Sequence, residues 1–263
     1  MRLDVYLVSK NFFESRNKAT AAIKDGQFQV NGKVITKPSF DVAETDVLSV
    51  YKKKTTYVAR SAHKLLTAFK TFQFDWNDKT VVDLGASTGG FCQVLLENGV
   101  QKIYAVDIGT AQLHPKLLND PRIVNMEHTN ARYLTSVDFN DVISAVTVDL
   151  SFISIKAIIP AIEKILGNRG EAVVLVKPQF EVGPQKLSKT GVVTNRKDQL
   201  SALTEIAAFA QNCGLGVQGI AFSGLTGESG NREYLLYLIK GVSTNLNIER
   251  AANAAVYMED SDE

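Results

Sequence analysis

A glycine-rich segment, Asp83-Leu-Gly-Ala-Ser-Thr-Gly-Gly-Phe91, is the clearest chemical feature of this sequence. It follows an apolar stretch that predicts a buried strand and leads into a predicted helix over 90–97. Glycines let the backbone approach a ligand closely, and the start of a helix presents free N–H groups. The spacing is not G-x-G-x-x-G, so a nicotinamide dinucleotide is the weaker interpretation. Asp83 could hold the ammonium of a methionine moiety, whereas it would repel a pyrophosphate.

Two further polar residues follow the next predicted strands. Asp107 lies 24 residues after Asp83 and suits a ribose diol, and Asn130 is placed to meet an adenine edge. Together with the loop they predict S-adenosylmethionine as the cofactor. The predicted contacts are Asp83, Gly85, Ala86, Ser87, Thr88, Gly89, Gly90, Phe91, Asp107 and Asn130. The alternative is that Asp83 and Asp107 only cap strand ends.

The residues at the ends of two later predicted strands indicate which kind of atom receives the methyl group. Methyltransferases that modify amines often carry Asn/Asp-Pro-Pro-aromatic after the fourth strand, but this chain has Asp149-Leu-Ser-Phe152. A hydroxyl acceptor must lose its proton as it attacks, so it needs a base or a nearby cation. Lys177 ends the neighbouring strand. Beside a sulfonium and partly shielded from water, it could act as a neutral base, or, if charged, stabilise the alkoxide.

The elements around these residues predict an α/β fold. Predicted strands cover 81–84, 102–107, 122–126, 142–149, 172–177, 215–222 and 233–239, and predicted helices cover 90–97, 111–118, 155–166 and 199–212. Apolar strands alternating with helices require a mainly parallel sheet covered on both faces. With a final antiparallel pair, this is the class I (Rossmann-like) methyltransferase architecture, with seven strands. The stretch 178–197 lacks periodicity and is predicted to be a lid over the substrate.

The first part of the chain differs in charge from the rest. Residues 1–64 contain 12 Lys and Arg against 6 Asp and Glu, whereas the remaining residues contain 17 against 22. Two short helices and a strand-turn-strand pattern predict a small α+β module there. A basic module joined to a mildly acidic domain favours contact with a polyanion, the alternative being a solubilising surface.

The composition excludes several other classes of protein. The two cysteines have no C-x-x-C spacing, and the histidines show no metal-ligand spacing, so neither a disulfide framework nor a metal site is predicted. No apolar run approaches the roughly 20 residues that span a bilayer, and the chain starts without a signal-peptide core. We therefore expect a cytoplasmic protein with no membrane segment.

The basic module resembles a known RNA-binding domain. Arg2-Leu3-Asp4, Ser15-Arg16, Val30-Asn31-Gly32 and Asp46-x-Leu48-x-Val50 are similar to the domain named after the small-subunit ribosomal protein S-four. That domain places basic side chains against RNA phosphates. The resemblance implies RNA contacts at Arg2, Arg16, Lys18, Lys24, Lys33 and Lys37.

Nearly the whole chain resembles the TlyA / hemolysin A family, which joins an S-four-type domain to an FtsJ-like methyltransferase domain. The matching segments are 57–65, 83–91, 149–154, 175–181 and 230–234. The resemblance implies 2′-O-methylation of cytidines, with ribosomal RNA or a ribosomal subunit as the partner. It also implies a catalytic set, which falls on Lys64, Asp149, Lys177 and Glu233. The alternatives are a membrane-active hemolysin and a non-catalytic RNA-binding assembly factor.

The implied domain boundaries follow the same resemblance. They are an RNA-binding domain over 1–51, a linker over 52–59, a methyltransferase domain over 60–245 and a tail over 246–263. The run Ala59-Arg-Ser-Ala62 departs from the family's Ser-Arg-Gly pattern, which affects the bend of the linker rather than the chemistry. The chain begins almost at the Arg2 motif, which favours the family members that modify only the large subunit.

Overall fold

The computed structural model describes residues 1–10, 12–24, 26–43, 45–50, 57–227 and 229–257. The chain divides into two compact units, Met1–Thr56 and Tyr57–Glu263. Most of the predicted linker (52–56) and the last part of the predicted tail (258–263) lie outside the described residues.

The first unit is a small α+β domain, as predicted. Its helices are α1 (Leu3–Ser9) and α2 (Arg16–Lys24), and its strands are β1 (Phe28–Val30), β2 (Lys33–Ile35) and β3 (Leu48–Val50), in the antiparallel order β2-β1-β3. Asn31 and Gly32 both have positive φ, 51° and 77°, as a tight two-residue hairpin turn requires. Apolar side chains of both helices and of β1 form the core.

The second unit contains a seven-stranded sheet between two layers of helices, which confirms the predicted fold class. Its elements are α3 (Ala62–Phe72), β4 (Thr80–Leu84), α4 (Gly90–Glu97), β5 (Lys102–Val106), α5 (Pro115–Leu118), β6 (Ile123–Met126), β7 (Ile143–Val148), α6 (Ile159–Ile165), β8 (Leu166–Val176), α7 (Arg196–Asn212), β9 (Leu215–Thr226), β10 (Arg232–Lys240) and α8 (Ile248–Tyr257). The strand order is β6-β5-β4-β7-β8-β10-β9. Strand β10 runs antiparallel to both β8 and β9.

The order of the strands places a crevice at the carboxyl ends of β4 and β7. The chain builds outward from β4 to β5 and β6 on one side, and then returns to β7 and β8 on the other. Loops leaving β4 and β7 therefore diverge to opposite faces of the sheet, and ligands bind in the space between them. Alternation along β4 sends Val81 to one face and Val82 and Leu84 to the other, so both faces are covered by apolar core.

The predicted helix over 111–118 was too long. Only Pro115–Leu118 is helical, because Ala111 has a φ of 51° and its N–H donates to a carboxylate oxygen of Glu127 at 2.9 Å. The start of the predicted helix over 155–166 is a short 3-10 turn at Ile155–Ala157.

Two helices were not predicted. Helix α3 begins directly after the basic linker region, and α8 lies inside the segment that the sequence assigned to a tail. Helix α8 buries Ala252, Ala255 and Val256 against the main core, so this segment belongs to the folded unit. Among the described residues, no helix combines the length and the apolar character needed to cross a membrane.

Candidate active site

The four residues expected to be catalytic lie together in one chain of ion pairs. Lys177 Nζ lies 2.7 Å from Asp149 Oδ1, and Lys64 Nζ lies 3.7 Å from Asp149 Oδ2. Lys64 Nζ also donates to Glu233 Oε2 at 2.5 Å. The order in space is therefore Lys177, Asp149, Lys64, Glu233, with two cations alternating with two anions.

Four separate elements bring these side chains to one place. Asp149 directly follows β7 and Lys177 directly follows the adjacent strand β8. Because Tyr234 of β10 pairs with Val176 of β8, Glu233 falls beside Lys177 at the same end of the sheet. Lys64 comes from the first turn of α3, which packs against β9, β10 and α4.

The network is shielded from water. The side-chain exposure of its members is at most 14%. A buried charge is costly unless it is paired, and the alternation of cations and anions supplies that pairing here. The network therefore holds the two lysine amines in fixed positions.

The network and the glycine-rich loop open into one cavity of about 690 Å³. All four network residues line it. The loop contributes Gly85, Ala86, Ser87, Thr88 and Phe91 to the same lining. A methyl donor held by the loop and an acceptor held by the network would therefore meet in a common space.

Two glycines of the loop have no room for a side chain. Gly85 has a φ of 86°, and a Cβ there would lie 2.5 Å from the backbone oxygen of Asp149. At Gly90 a Cβ would lie 2.4 Å from Ser61 Oγ. The loop thus packs closely against the backbone of Asp149 and the start of α3, while its Ser87 and Thr88 line the cavity. These residues fit the predicted cofactor.

Comparison with known proteins agrees with this geometry. The FtsJ-like methyltransferase family matches residues 57–240, and the S4 domain matches residues 1–48. The chain belongs to the FtsJ-like methyltransferase family. Its cofactor is therefore S-adenosylmethionine, and the small basic unit in front of the FtsJ-like domain is an S4 domain, as the sequence predicted.

Relatives match this chain over most of their length. TlyA of Mycobacterium tuberculosis, named as a 16S/23S rRNA (cytidine-2′-O)-methyltransferase, is 38% identical over 238 residues, covering 90% of this chain and 89% of that protein. Hemolysin A of Brachyspira hyodysenteriae is 40% identical over 240 residues, covering 91% of this chain and 100% of its own. A solved hemolysin-type structure from Streptococcus thermophilus is similar with a TM-score of 0.73 and 37% identity, over 97% of this chain and 95% of that one.

Asp83 of the FtsJ-like domain lies beneath the loop rather than in the cavity. It is 1% exposed, and it accepts hydrogen bonds from Thr147 Oγ1 at 2.7 Å and from Cys92 Sγ at 3.1 Å. The expected direct contact with a methionine ammonium is therefore not the arrangement that this structure offers. Burial also raises the pKa of Asp83 to about 6. Asp83 instead joins β4, β7 and α4 at the base of the cofactor site.

The pKa of Asp83 predicts an unusual pH dependence of stability. A carboxyl with a folded-state pKa near 6, against 3.8 when unfolded, binds more protons in the folded state between these values. Asp83 therefore raises the free energy of unfolding by up to about 3 kcal/mol as the pH falls from about 7 to about 4. Urea unfolding of the wild type and of Asp83→Asn across this range isolates the effect. A constant difference between the two curves would contradict it.

Asp107 and Asn130, also predicted to contact the cofactor, do not line the cavity. Asp107 accepts the N–H of Ser87 at 2.8 Å and that of Gly109 at 2.7 Å. It is half-buried, and each carboxylate oxygen can accept a second bond, so contact with a ribose diol stays a proposal. Asn130 is exposed, and its side-chain oxygen accepts the N–H of Arg132 at 3.1 Å. An adenine contact at Asn130 also stays a proposal.

The stretch after Lys177, predicted to be a lid, forms a wall of the cavity that is attached at both ends. Glu181 accepts the hydroxyl of Ser154 at 2.6 Å and the N–H of Ile155 at 2.7 Å. Farther along, buried Asn231 accepts the N–H of Val193 and donates to the carbonyl of Gly191. Between these points Lys186 forms an ion pair with Asp198 at 2.8 Å, so the segment is also held at its middle.

Two residues of the site were missed as functional candidates. Ser151 Oγ accepts a hydrogen bond from Lys177 Nζ at 2.8 Å. Phe152 lines the cavity, is 91% exposed, has a φ of 63°, and contacts the ring of Phe180 at 5.3 Å between centroids. An exposed aromatic residue with positive φ is unfavourable both for solvation and for the backbone. In the sequence, its position directly after Asp149 and Ser151 was the feature that could have identified Phe152 as part of the site.

The S4 domain presents all six predicted RNA contacts at its surface. They are Arg2, Arg16, Lys18, Lys24, Lys33 and Lys37, and each is exposed. Exposure is the minimum requirement for contact with phosphates, and these residues stay candidates for it.

Proposed function

We propose that this protein transfers a methyl group from S-adenosylmethionine to the 2′-hydroxyl of a cytidine in ribosomal RNA. The observation that carries the proposal is the Lys177–Asp149–Lys64–Glu233 network opening into the same cavity as the glycine-rich loop. The printed function of the Mycobacterium tuberculosis relative supports the choice of a cytidine ribose in ribosomal RNA.

The chain's own residues must control the proton of the acceptor hydroxyl. When bound, S-adenosylmethionine supplies a methyl group activated by a sulfonium. Asp149 and Ser151 hold the amine of Lys177 in place. From this position Lys177 either takes the proton of the hydroxyl or stabilises the negative charge that develops on its oxygen.

Lys64 and Glu233 have a positioning role in this proposal. Their contact is buried and lies at the far end of the network from Lys177. It keeps Lys64 near the second oxygen of Asp149, so Asp149 is held from both sides. Both residues also line the cavity, where they can contact the hydroxyls of the target ribose.

Phe152 is placed to receive the base of the target nucleotide. Stacking on an aromatic ring is worth roughly 1–3 kcal/mol per base. Phe152→Ala should therefore lower kcat/KM for RNA by roughly 10- to 100-fold, with unchanged affinity for S-adenosylmethionine, because the ring is outside the glycine-rich loop. Steady-state methylation assays of Phe152→Ala, with Tyr133→Ala as the control, measure this effect. Tyr133 is also largely exposed, but it is not among the residues that line the cavity. An equal loss in Tyr133→Ala would contradict a role in stacking.

Mapping of ribosomal RNA tests the proposed function most directly. Ribosomal RNA from cells with and without this protein would be digested and compared by mass spectrometry. We expect a 2′-O-methylcytidine that disappears with the protein and returns with the wild-type gene, but not with Lys177→Ala. A complete set of ribose methyl groups in the deleted cells would contradict the proposal.

A further inference from the structure

A buried carboxylate in the S4 domain holds two exposed arginines. Arg2 donates to both oxygens of Asp4, from Nε and from one terminal nitrogen, each at 3.0 Å. Arg16 donates to Asp4 Oδ2 at 2.8 Å. The Asp4 side chain is 3% exposed, whereas those of Arg2 and Arg16 are 49% and 58% exposed. A single buried group thus sets the position of two guanidinium groups at the surface.

The arrangement is unusual for a surface that binds a polyanion. A carboxylate among cations lowers the local positive charge, so electrostatics alone would favour its removal. The bonds to Asp4 use only part of each guanidinium, and the remaining N–H groups are available to phosphate oxygens. Both arginines stand at helix starts, Arg2 directly before α1 and Arg16 at the first residue of α2. Asp4 therefore fixes the distance between two phosphate-binding groups that come from different helices.

The cost of ordering a side chain explains why this distance matters. A free arginine has many rotamers, and binding to RNA must restrict them. Arginines that are already restricted in the unbound protein lose less freedom on binding, so the affinity is higher. The guanidinium groups keep the pKa of the Asp4 carboxyl well below its usual range, so the ion pairs persist at all physiological pH values.

We propose that Asp4 is a positioning residue for RNA binding, which presents Arg2 and Arg16 as a fixed pair for the phosphates of ribosomal RNA. This inference depends on the proposed function only in that RNA is the ligand. Asp4→Asn raises the net charge of the S4 domain by one and should nevertheless weaken RNA binding about 10-fold.

The test compares two substitutions that change the charge equally in the full-length protein. Asp41 lies beside Arg2 through a backbone bridge, but its carboxylate is 86% exposed and contacts the N-terminal amine at 3.9 Å. Asp41→Asn therefore removes a charge near Arg2 without removing a bond to its guanidinium, and it is the charge-matched control. Binding of purified bacterial 23S ribosomal RNA would be measured by filter binding at one fixed salt concentration. We expect Asp41→Asn to bind as tightly as the wild type or more tightly, and Asp4→Asn to bind more weakly. Equal affinities for the two variants would overturn the proposal.

Two further measurements distinguish the positioning role of Asp4 in RNA binding from a purely structural role in the S4 domain. Arg16→Ala should lower the affinity less in the Asp4→Asn background than in the wild type, because the guanidinium is no longer held in place there. Circular dichroism shows whether Asp4→Asn folds. If it does not fold, Asp4→Glu tests the positioning role instead, because it keeps the negative charge but moves the carboxylate. We expect Asp4→Glu to bind at least about 3-fold more weakly. Wild-type affinity of Asp4→Glu, or equal effects of Arg16→Ala in both backgrounds, would overturn the positioning role.

Failure of the proposed function gives a different result in the same experiment. A wild-type protein that does not bind ribosomal RNA would remove both proposals together. Tight wild-type binding with no difference between Asp4→Asn and Asp41→Asn would remove only the positioning role of Asp4.

Discussion

Replacing Lys177 by alanine should lower the rate of methyl transfer to ribosomal RNA by roughly 10²- to 10⁴-fold. The substitution removes the one amine that Asp149 and Ser151 both hold, at 2.7 Å and 2.8 Å. Affinity for S-adenosylmethionine should be almost unchanged, because the glycine-rich loop and Asp107 do not bond to Lys177. Single-turnover transfer of a labelled methyl group measures the first quantity, and titration calorimetry measures the second.

Lys156→Ala is the matched control for this prediction. Lys156 also forms an ion pair, with Glu205, but at the exposed surface, and such pairs contribute little. It should keep full activity. Lys177→Ala leaves Asp149 with a single, more distant cation, which could destabilise the fold. The unfolding temperatures of both variants are therefore measured, so that a loss of activity is not confused with unfolding. A Lys177→Ala variant with wild-type activity would refute the catalytic role.

Lys177→Arg separates the two possible roles of the amine. Arginine keeps its positive charge in proteins and cannot serve as a base, but it can stabilise an oxyanion. A base role therefore predicts that the arginine variant is as inactive as the alanine variant. Substantial residual activity of Lys177→Arg, above that of Lys177→Ala, would indicate charge stabilisation instead.

The main features of the FtsJ-like domain were predictable from local patterns. Strands β4 and β5 are short apolar runs whose limits were predicted to within one residue, because both faces of the parallel sheet are buried. Since the carboxyl ends of neighbouring parallel strands meet at one edge, the proximity of Asp149 and Lys177 also followed from their positions in the sequence.

The surroundings of Asp83 were not predictable, because they depend on contacts distant in sequence. Its partners Thr147 and Cys92 lie 64 and 9 residues away. Nothing local distinguishes a carboxylate that faces a ligand from one that faces a neighbouring strand. The pattern thus predicted a cofactor site, and the tertiary register places Asp83 beneath the glycine-rich loop.

Helices α3 and α8 were missed for a different reason. Ser61, before α3, makes no capping hydrogen bond through its side chain. Helix α8 buries mainly small residues such as Ala252 and Ala255. Both helices nevertheless have apolar residues at helical spacing, so a helix was open to prediction in each segment. What the single sequence did not show is that these apolar faces pack against the sheet.

Removal of residues 1–56 should weaken binding to ribosomal RNA strongly and reduce its dependence on salt. This segment is one of the two compact units and carries all six exposed cations that are candidates for phosphate contact. Each phosphate contact contributes roughly 0.7–0.9 to the slope of log K against log salt concentration. If all six make contact, the slope should fall by roughly 4–5. Salt titrations of RNA binding with the full chain and with residues 57–263 measure the difference.

A matched variant of the full chain guards against indirect effects of the truncation. Lys18→Ala combined with Lys37→Ala removes two exposed cations and leaves the core of the S4 domain intact. The slope should fall by roughly 1.4–1.8, or 0.7–0.9 for each contact, while affinity for S-adenosylmethionine stays the same in every protein. A truncated chain that kept the full slope would place the RNA anchor in the FtsJ-like domain. A double variant with the full slope, beside a truncated chain with a reduced one, would assign the anchor to the other cations of the S4 domain.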